Sequence, residues 1–552
     1  MSRALSARSG WPAAAPGGAE RPSVGLRWAL PLALVAGAGQ AAALAPTPHA
    51  SWQIVSMALF LALLPDVDRA GGTRRVALTA TAFGFAWLAG SFWWLFVSLH
   101  RYGHLPAWMA AGAVGLLAAA LSSVVVAAAL AWSRWRTGRL LVDASLWAAL
   151  WLLSELARGQ WFTGFPWGAV GYAHVDGPLA LLAPWLGVYG VGAVAAGLSA
   201  ALSAAVLTLW PVVRTRFSRA AGAGPVSAGR RPWLAGLICA AGVALSMAPV
   251  WRGPDFTRPT GSLSVTLLQG NVPQDEKFDW QRLPEALGWH VQTLMAARTD
   301  LVVAPETAIP LLPDQLPQGL WQALTAHFDQ GGTHALIGLP LGNFEQGYTN
   351  SVAGLAPGQP VYRYDKHHLV PFGEFIPPGF RWFVKLMQIP LGDFARGPLA
   401  APAFQVKGER VAPNICYEDL FGEELAARFV DAAQAPTVLA NVSNIGWFGQ
   451  TVAVDQHLQI SRMRSLELQR PMLRATNTGA TVAIDHRGRV THALAPHRRG
   501  VLQAQVEGRS GNTPYADWVG RLGLMPLWLL ALAWVGLLAW RARGSGFPGG
   551  RT

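Results

Sequence analysis

The sequence predicts a multi-pass α-helical membrane domain of about eight spans joined to one layered α/β domain outside the membrane. Three observations lead there. Of 552 residues, 52% are hydrophobic and only 13% are charged, at a mean hydropathy of +0.28; an ordinary soluble domain carries roughly 25% charged residues. Long apolar runs recur through the first 250 positions and once more near the C-terminus. Between them, residues 253–510 alternate short strand-like and helical patches and hold 23 of the 30 acids. The composition argues against a soluble enzyme and against a disordered chain. Two cysteines, Cys239 and Cys416, exclude a disulfide framework and a multi-cysteine metal site.

The apolar runs lie near 27–45, 50–65, 77–99, 107–132, 141–156, 182–210, 232–250 and 523–540. Arginine marks alternate connections. Arg3, Arg8, Arg21 and Arg27 precede the first run, Arg69, Arg74 and Arg75 follow the second, and Arg134, Arg136 and Arg139 follow the fourth. Arg214, Arg216, Arg219, Arg230 and Arg231 follow the sixth, and Arg541, Arg543 and Arg551 form the tail. The remaining connections are nearly bare. By the positive-inside rule this alternation puts both termini in the cytoplasm and the large domain outside. The formal charge of +13 belongs to the cytoplasmic loops, because residues 253–510 carry 21 Lys and Arg against 23 Asp and Glu. The positive balance therefore serves anionic lipid headgroups, and no nucleic-acid partner is expected. The first run is read as a retained span, since no clean cleavage site follows it. The expected division is 1–252 with seven spans, 253–515 as the α/β domain, and 516–552 as the last span and tail.

Within the α/β domain, 263–272, 301–308, 333–342, 350–356, 361–366, 411–416 and 437–443 read as strands, and 281–298, near 315–328 and 454–469 as helices. A hairpin is expected near 473–493. Three chemical groups stand at strand ends. Glu306, in VVAPETAIP, follows a buried apolar run, where a carboxylate is costly without a partner or a task. Lys366, in YRYDKHHLVPFGEF, is one of only four lysines, with Lys277, Lys385 and Lys407, so arginine does the generic surface work. Lysine supplies a compact charge that arginine cannot. Cys416, in APNICYEDL, closes a short strand, whereas Cys239 lies mid-span. Each residue alone has an ordinary structural reading: a loop carboxylate, a solvated lysine, a buried thiol. His367 and His368 are adjacent on a strand and so face opposite ways, which argues against a shared metal. No metal or other cofactor is expected.

The order Glu, Lys, Cys resembles the carbon–nitrogen hydrolase (nitrilase) superfamily, and with the flanking spans the chain resembles the bacterial apolipoprotein N-acyltransferase family over nearly its full length. The stretches that carry the resemblance are QGNVPQ (269–274), APETAIP (304–310), KHHLVPFGEFIP (366–377), NICYED (414–419) and NVSNIGWFG (441–449). They continue with Gln456-His457 through RMRSLELQRPMLRATNTG (462–479), and in the helical region with SELARGQWFTGFPWGAVGY (154–172). The resemblance implies a nitrilase-like α-β-β-α sandwich. It also implies an acyltransferase that moves a fatty acyl chain from a phospholipid, through a cysteine thioester, to the N-terminal amine of a diacylated apolipoprotein. It makes Cys416 the nucleophile, Glu306 the general base and Lys366 the holder of the oxyanion, with a backbone N–H near Cys416 as second donor. Glu374, Tyr417 and Glu418 are supporting residues. Phe278, Trp447, Trp161, Phe165 and Trp167 are candidate substrate contacts; the last three sit in an aromatic segment suited to the headgroup level. Phe278 and Ile445 depart from the family pattern, which has Trp and Asp there. The competing readings are a membrane-tethered nitrilase-type amidase using the same three residues, and a non-catalytic transporter or sensor. The near absence of charge within the spans speaks against the latter.

Overall fold

The computed structural model describes residues 24–65, 71–217, 253–277, 279–343, 345, 347–377, 379 and 394–544. Helices occupy the expected apolar runs at Leu26–Ala42, Ala50–Leu63, Gly72–Phe92, Ala107–Trp135, Leu140–Gln160, Ala183–Phe217 and Met525–Gly544. The expected run at 232–250 lies outside the described residues. Among those described, four helices are long and apolar enough to cross a membrane, or five if Gly72–Phe92 and Leu95–Tyr102 count as one span bent by 60°. The 29-residue Ala107–Trp135 helix is about 43 Å long, more than the ~30 Å hydrocarbon core requires. The helices pack through buried rings: Phe60 stacks on Phe83 at 4.1 Å, and Trp87 and Trp147 each lie against Trp151 at 5.3 and 5.7 Å.

Two six-stranded sheets form the α/β region. The first has the order β12-β1-β2-β3-β4-β5 and the second β11-β10-β9-β8-β7-β6. In the first, β1 (Arg258–Gln269), β2 (Leu301–Val303) and β3 (His334–Asn343) run parallel, while β4 (Gly347–Leu355), β5 (Tyr362–Asp365) and β12 (Gly500–Ser510) are antiparallel to their neighbours. In the second, β7 (Glu409–Ile415), β8 (Val438–Ser443) and β9 (Met472–Thr476) are parallel, flanked by β6 (Phe404–Val406), β10 (Val482–Ile484) and β11 (Val490–Ala493).

The side-chain period of two sets the layers. In β8, Val438, Ala440 and Val442 meet Leu263, Val265 and Leu267 of β1 between the sheets, while Leu439 faces the other way. The outer face of the first sheet, with Val302, Ala335, Ile337 and Ala353, is covered by the helices Leu283–Ala296 and Leu320–Gln330. The outer face of the second is covered by Ala453–Leu468, whose Ile460 and Met463 belong to one continuous core with the apolar helices. The result is an α-β-β-α sandwich with one helical layer shared with those helices. That join carries polar contacts, one of them at a helix break. The Ala183–Phe217 helix breaks at Gly187 (φ 65°, ψ −177°), where the Tyr515 ring sits 2.3 Å from the place a Cβ would take. The freed N–H of Val188 donates to Glu467 Oε1 at 2.6 Å, satisfying a helix-start donor with a charged acceptor.

Several expected elements differ in extent. Strand β2 is only three residues long, because the chain turns at Glu306. Strands β6 and β12 were not expected. β12 alternates from Gly500 to Gly508 but reaches full burial only from Ala504 onward, and β6 is three residues long, too short for a period to register.

Candidate active site

Three strand ends bring the expected residues together. Glu306 follows β2, Lys366 follows β5 in the same sheet, and Cys416 follows β7 in the other. The Glu306 turn lies directly against β3: a Cβ on Gly338 would stand 2.3 Å from the Pro305 carbonyl and 2.8 Å from Glu306 Cα. Only glycine allows that approach. Glu306 is 8% exposed, and both its oxygens are held. Oε1 accepts from Asn350 Nδ2 at 2.8 Å and Oε2 from the Asn444 N–H at 2.8 Å. Lys366 Nζ lies 3.6 Å from Glu306 Oε1 and donates to Glu374 Oε1 at 2.9 Å. Asn350 Nδ2 also reaches Glu374 Oε1, at 2.7 Å, so one amide spans the two carboxylates. Glu374 Oε2 accepts from the Val370 N–H at 2.8 Å.

Cys416 has φ of +51°, a left-handed backbone that a side chain adopts at a cost. Its surroundings impose it. Glu418, two residues on, fills its acceptor sites: Oε2 takes the Ile415 N–H at 2.6 Å and the Tyr364 hydroxyl at 2.8 Å, and Oε1 takes the N–H groups of His367 and His368 at 2.7 and 3.2 Å. This one carboxylate ties the cysteine turn of the second sheet to the lysine strand of the first. The Cys416 carbonyl accepts from Asn441 Nδ2 at 3.3 Å and lies 3.1 Å from His457 Nε2.

Burial pushes the Cys416 thiol up from an ordinary 9.0 to about 12, helped by the Glu306 charge and opposed by Lys366. Burial alone would lower the Lys366 ammonium, but Glu374 and Glu306 override it and hold it above its usual range. Burial raises the Glu418 carboxyl, against the four donors that favour its charge. Lys277 Nζ donates to the Glu306 carbonyl and to Thr307 Oγ1, both at 3.0 Å, and burial brings it down to about 8 although Glu306 favours its charge. The site thus holds a protonated thiol, a fixed carboxylate and a fixed ammonium, in a setting where proton transfer can accompany attack.

The remaining expected residues are spread around this centre. Tyr417 donates its hydroxyl to the Gly164 carbonyl at 3.0 Å, linking the Cys416 turn to the loop after Leu140–Gln160. Trp167 packs against Trp94 at 4.6 Å, and both indole N–H groups converge on Gln456 Oε1. Phe165 meets Phe92 edge-on at 5.3 Å. Trp161 is exposed and stacks on Trp528 at 6.0 Å, beside Phe162, which is 98% exposed. Trp447 is exposed and meets Tyr102 at 5.6 Å. Phe278 lies outside the described residues. Sequence reasoning gave no role to Asn350, Asn441, Asn444 or His457. The usable signal was an asparagine inside a buried strand, as in β4 and β8, which must find partners for its amide.

Residues 36–201 match the family described as apolipoprotein N-acyltransferase N-terminal domain, and residues 264–515 match carbon-nitrogen hydrolase. An apolipoprotein N-acyltransferase of Verminephrobacter eiseniae is 54% identical over 525 residues, covering 90% of this chain and 94% of that protein. Another from Ralstonia nicotianae is 47% identical, covering 90% of each chain, and one from Bordetella bronchiseptica is 41% identical, covering 95% of this chain and 98% of its own.

Proposed function

The chain belongs to the apolipoprotein N-acyltransferase family, and from that premise we propose that Cys416 carries a fatty acyl chain from a phospholipid to the N-terminal amine of a diacylated apolipoprotein. The single observation behind this reading is the convergence of three distant strand ends: Glu306 and Lys366 meet at 3.6 Å in one polar cluster, and the Cys416 thiol lies close enough to feel both charges. In the first step Glu306 takes the thiol proton as sulfur attacks the ester carbonyl carbon. The oxygen that gains the charge is held by Lys366 Nζ and by a backbone N–H near Cys416. The tetrahedral adduct collapses to a thioester, and the lysophospholipid alcohol leaves with the proton from Glu306. In the second step the cysteine amine of the lipoprotein attacks the thioester carbon and gives its proton to Glu306. Collapse forms the amide and returns the thiol.

Glu374 serves this chemistry by fixing Lys366, and Glu418 by fixing the turn that presents the thiol. Tyr417 joins that turn to the apolar helices. We place the protein in the bacterial inner membrane, with about eight spans and both termini cytoplasmic. Residues 253–515 are periplasmic in this arrangement, between the helical domain of residues 1–252 and the last span within 516–552. The arginine alternation supports this orientation. Both substrates are lipid-anchored, so a site tethered above the outer leaflet searches in two dimensions. Trp161, the exposed Phe162 and Trp528 suit an approach at headgroup level, with Phe165 and Trp167 packed behind them and Phe278 and Trp447 as further contacts. No nucleic acid, metal or other cofactor takes part in this scheme.

The test is incubation of the purified full chain with phospholipid, then with a diacylated lipopeptide, followed by mass analysis of protein and peptide. The expected result is an acyl group on Cys416 with phospholipid alone and an N-acylated peptide after the acceptor is added. Cys416→Ala should insert and fold yet form neither product. Transfer by Cys416→Ala at the wild-type rate would overturn the nucleophile assignment, and a free fatty acid in place of the N-acyl peptide would indicate a hydrolase.

A further inference from the structure

We propose that His457 is a positioning residue for the nucleophile: a neutral imidazole whose Nε2–H pins the Cys416 carbonyl and thereby holds the left-handed turn that aims the thiol. The proposal deepens the reading of Cys416 as nucleophile and rests on it. Arg474 settles which nitrogen carries the proton. Its Nη2 lies 2.6 Å from His457 Nδ1, and a guanidinium has only donors, so Nδ1 must accept. The ring proton is then on Nε2, which faces the Cys416 oxygen at 3.1 Å. Burial, followed by the Arg474 charge, holds the imidazole far below its ordinary range, so the ring remains in this neutral form.

The arginine is itself anchored to the nucleophile turn. Arg474 Nη1 reaches Asp419 Oδ2 and Asn441 Oδ1, both at 3.3 Å, and its Nε donates to the Ala480 carbonyl at 3.2 Å. Asp419 also accepts from the hydroxyl of Ser461, one turn beyond His457 on the same helix. A closed ring results: cysteine turn, Asp419, Arg474, His457, and back to the cysteine carbonyl. Asp419, Arg474 and His457 are buried, and Cys416 is half-buried. The second donor to that carbonyl, Asn441, is longer at 3.3 Å. Trp167 stacks on the imidazole at 5.6 Å and 28°, and the neighbouring Gln456 receives the Trp167 N–H at 2.7 Å. The imidazole plane is therefore set from the helical side, through the same loop that carries the exposed Trp161 and Phe162.

Three variants of the full chain separate this role from simple packing. Glutamine can offer a donor to the carbonyl and an acceptor to Arg474. Glutamate satisfies Arg474 but has no donor when ionised, and leucine has neither. The readouts are acyl-thioester formation with phospholipid, alkylation of Cys416 by iodoacetamide, and thermal unfolding in detergent. His457→Glu and His457→Leu should lose about 100-fold in thioester formation at unchanged KM, as expected for a misplaced reacting atom. Alkylation should change in parallel, and His457→Gln should recover most of both. Wild-type rates in His457→Glu, or a glutamine variant as impaired as glutamate at equal unfolding temperature, would overturn the proposal. Should leucine fail to fold, the glutamine–glutamate pair decides alone. Failure of wild-type protein to form any thioester would instead sink the nucleophile reading, while the alkylation series would still report on His457.

Discussion

The two sheets solve opposite problems at their shared edge. On the first, Glu306, Lys366 and Glu374 are charges brought out of water, and the structure spends polar partners on them: Asn350 spans both carboxylates and the Asn444 N–H takes the remaining oxygen of Glu306. On the second, burial favours the neutral thiol of Cys416, and the partners go to the backbone of its turn instead: Glu418 takes the Ile415 N–H, and Asn441 and His457 reach the Cys416 carbonyl. One half manages charge and the other manages geometry. A buried charge without partners is expensive, and a strained φ lasts only where the surroundings over-determine it.

Substitutions can break each half separately. The largest effect is expected on the charged side. Lys366→Ala should lower transfer by about 10²–10³, as for loss of one oxyanion donor, and Lys366→Arg should fall with it because a planar fork cannot occupy the position of Nζ. Arginine retaining near wild-type transfer in the lipopeptide assay would show that charge alone suffices there. On the geometric side, Glu418→Gln keeps the shape but replaces a four-fold acceptor with an amide. Stability should fall by about 1–3 kcal/mol for each backbone N–H left unpaired, and thioester formation with it. Unchanged unfolding temperature and rate would mean that the turn holds without this clamp.

A third measurement sharpens the contrast without mutation. Because burial and Glu306 raise the thiol from 9.0 to about 12, Cys416 is protonated throughout the neutral range, and its thiolate fraction grows only as pH rises toward that value. Alkylation of the resting enzyme should still be climbing above about pH 9. A plateau reached below about pH 8 would mean that Lys366 already holds a thiolate, and that the two halves form an ion pair before substrate arrives. The smallest effect is expected at the seam between β3 and the Glu306 turn. Gly338→Ala forces the Pro305–Glu306 backbone away from β3 and should cost about 1–3 kcal/mol. Its thermal shift should be accompanied by weaker transfer, because the carboxylate moves with its backbone.

The class of the protein is legible in composition and pattern alone. Apolar runs, arginine alternation and an acid-rich middle are local or compositional, and each residue carries its own share of that signal. The sequence also offered three candidate chemical groups, since a glutamate, a rare lysine and a cysteine each end a strand-like run, while their roles came only with the resemblance. The nitrilase-like sandwich and the family came from resemblance to motifs, and the layered sheets and the relatives bear both out. How those groups are held, by contrast, depends on the assembled fold. Asn350 meets Glu306 across 44 positions of chain, and the Asn444 N–H meets it across 138. Likewise, nothing near His457 announces that Arg474 will fix its proton or that Trp167 will fix its plane. The bend after Phe92 and the break at Gly187 sit inside apolar runs whose hydropathy reads straight through them. Burial of one face is written in periodicity, which any short window can display. A hydrogen bond between distant segments exists only once the sheets are paired in register, so its geometry follows from the fold as a whole.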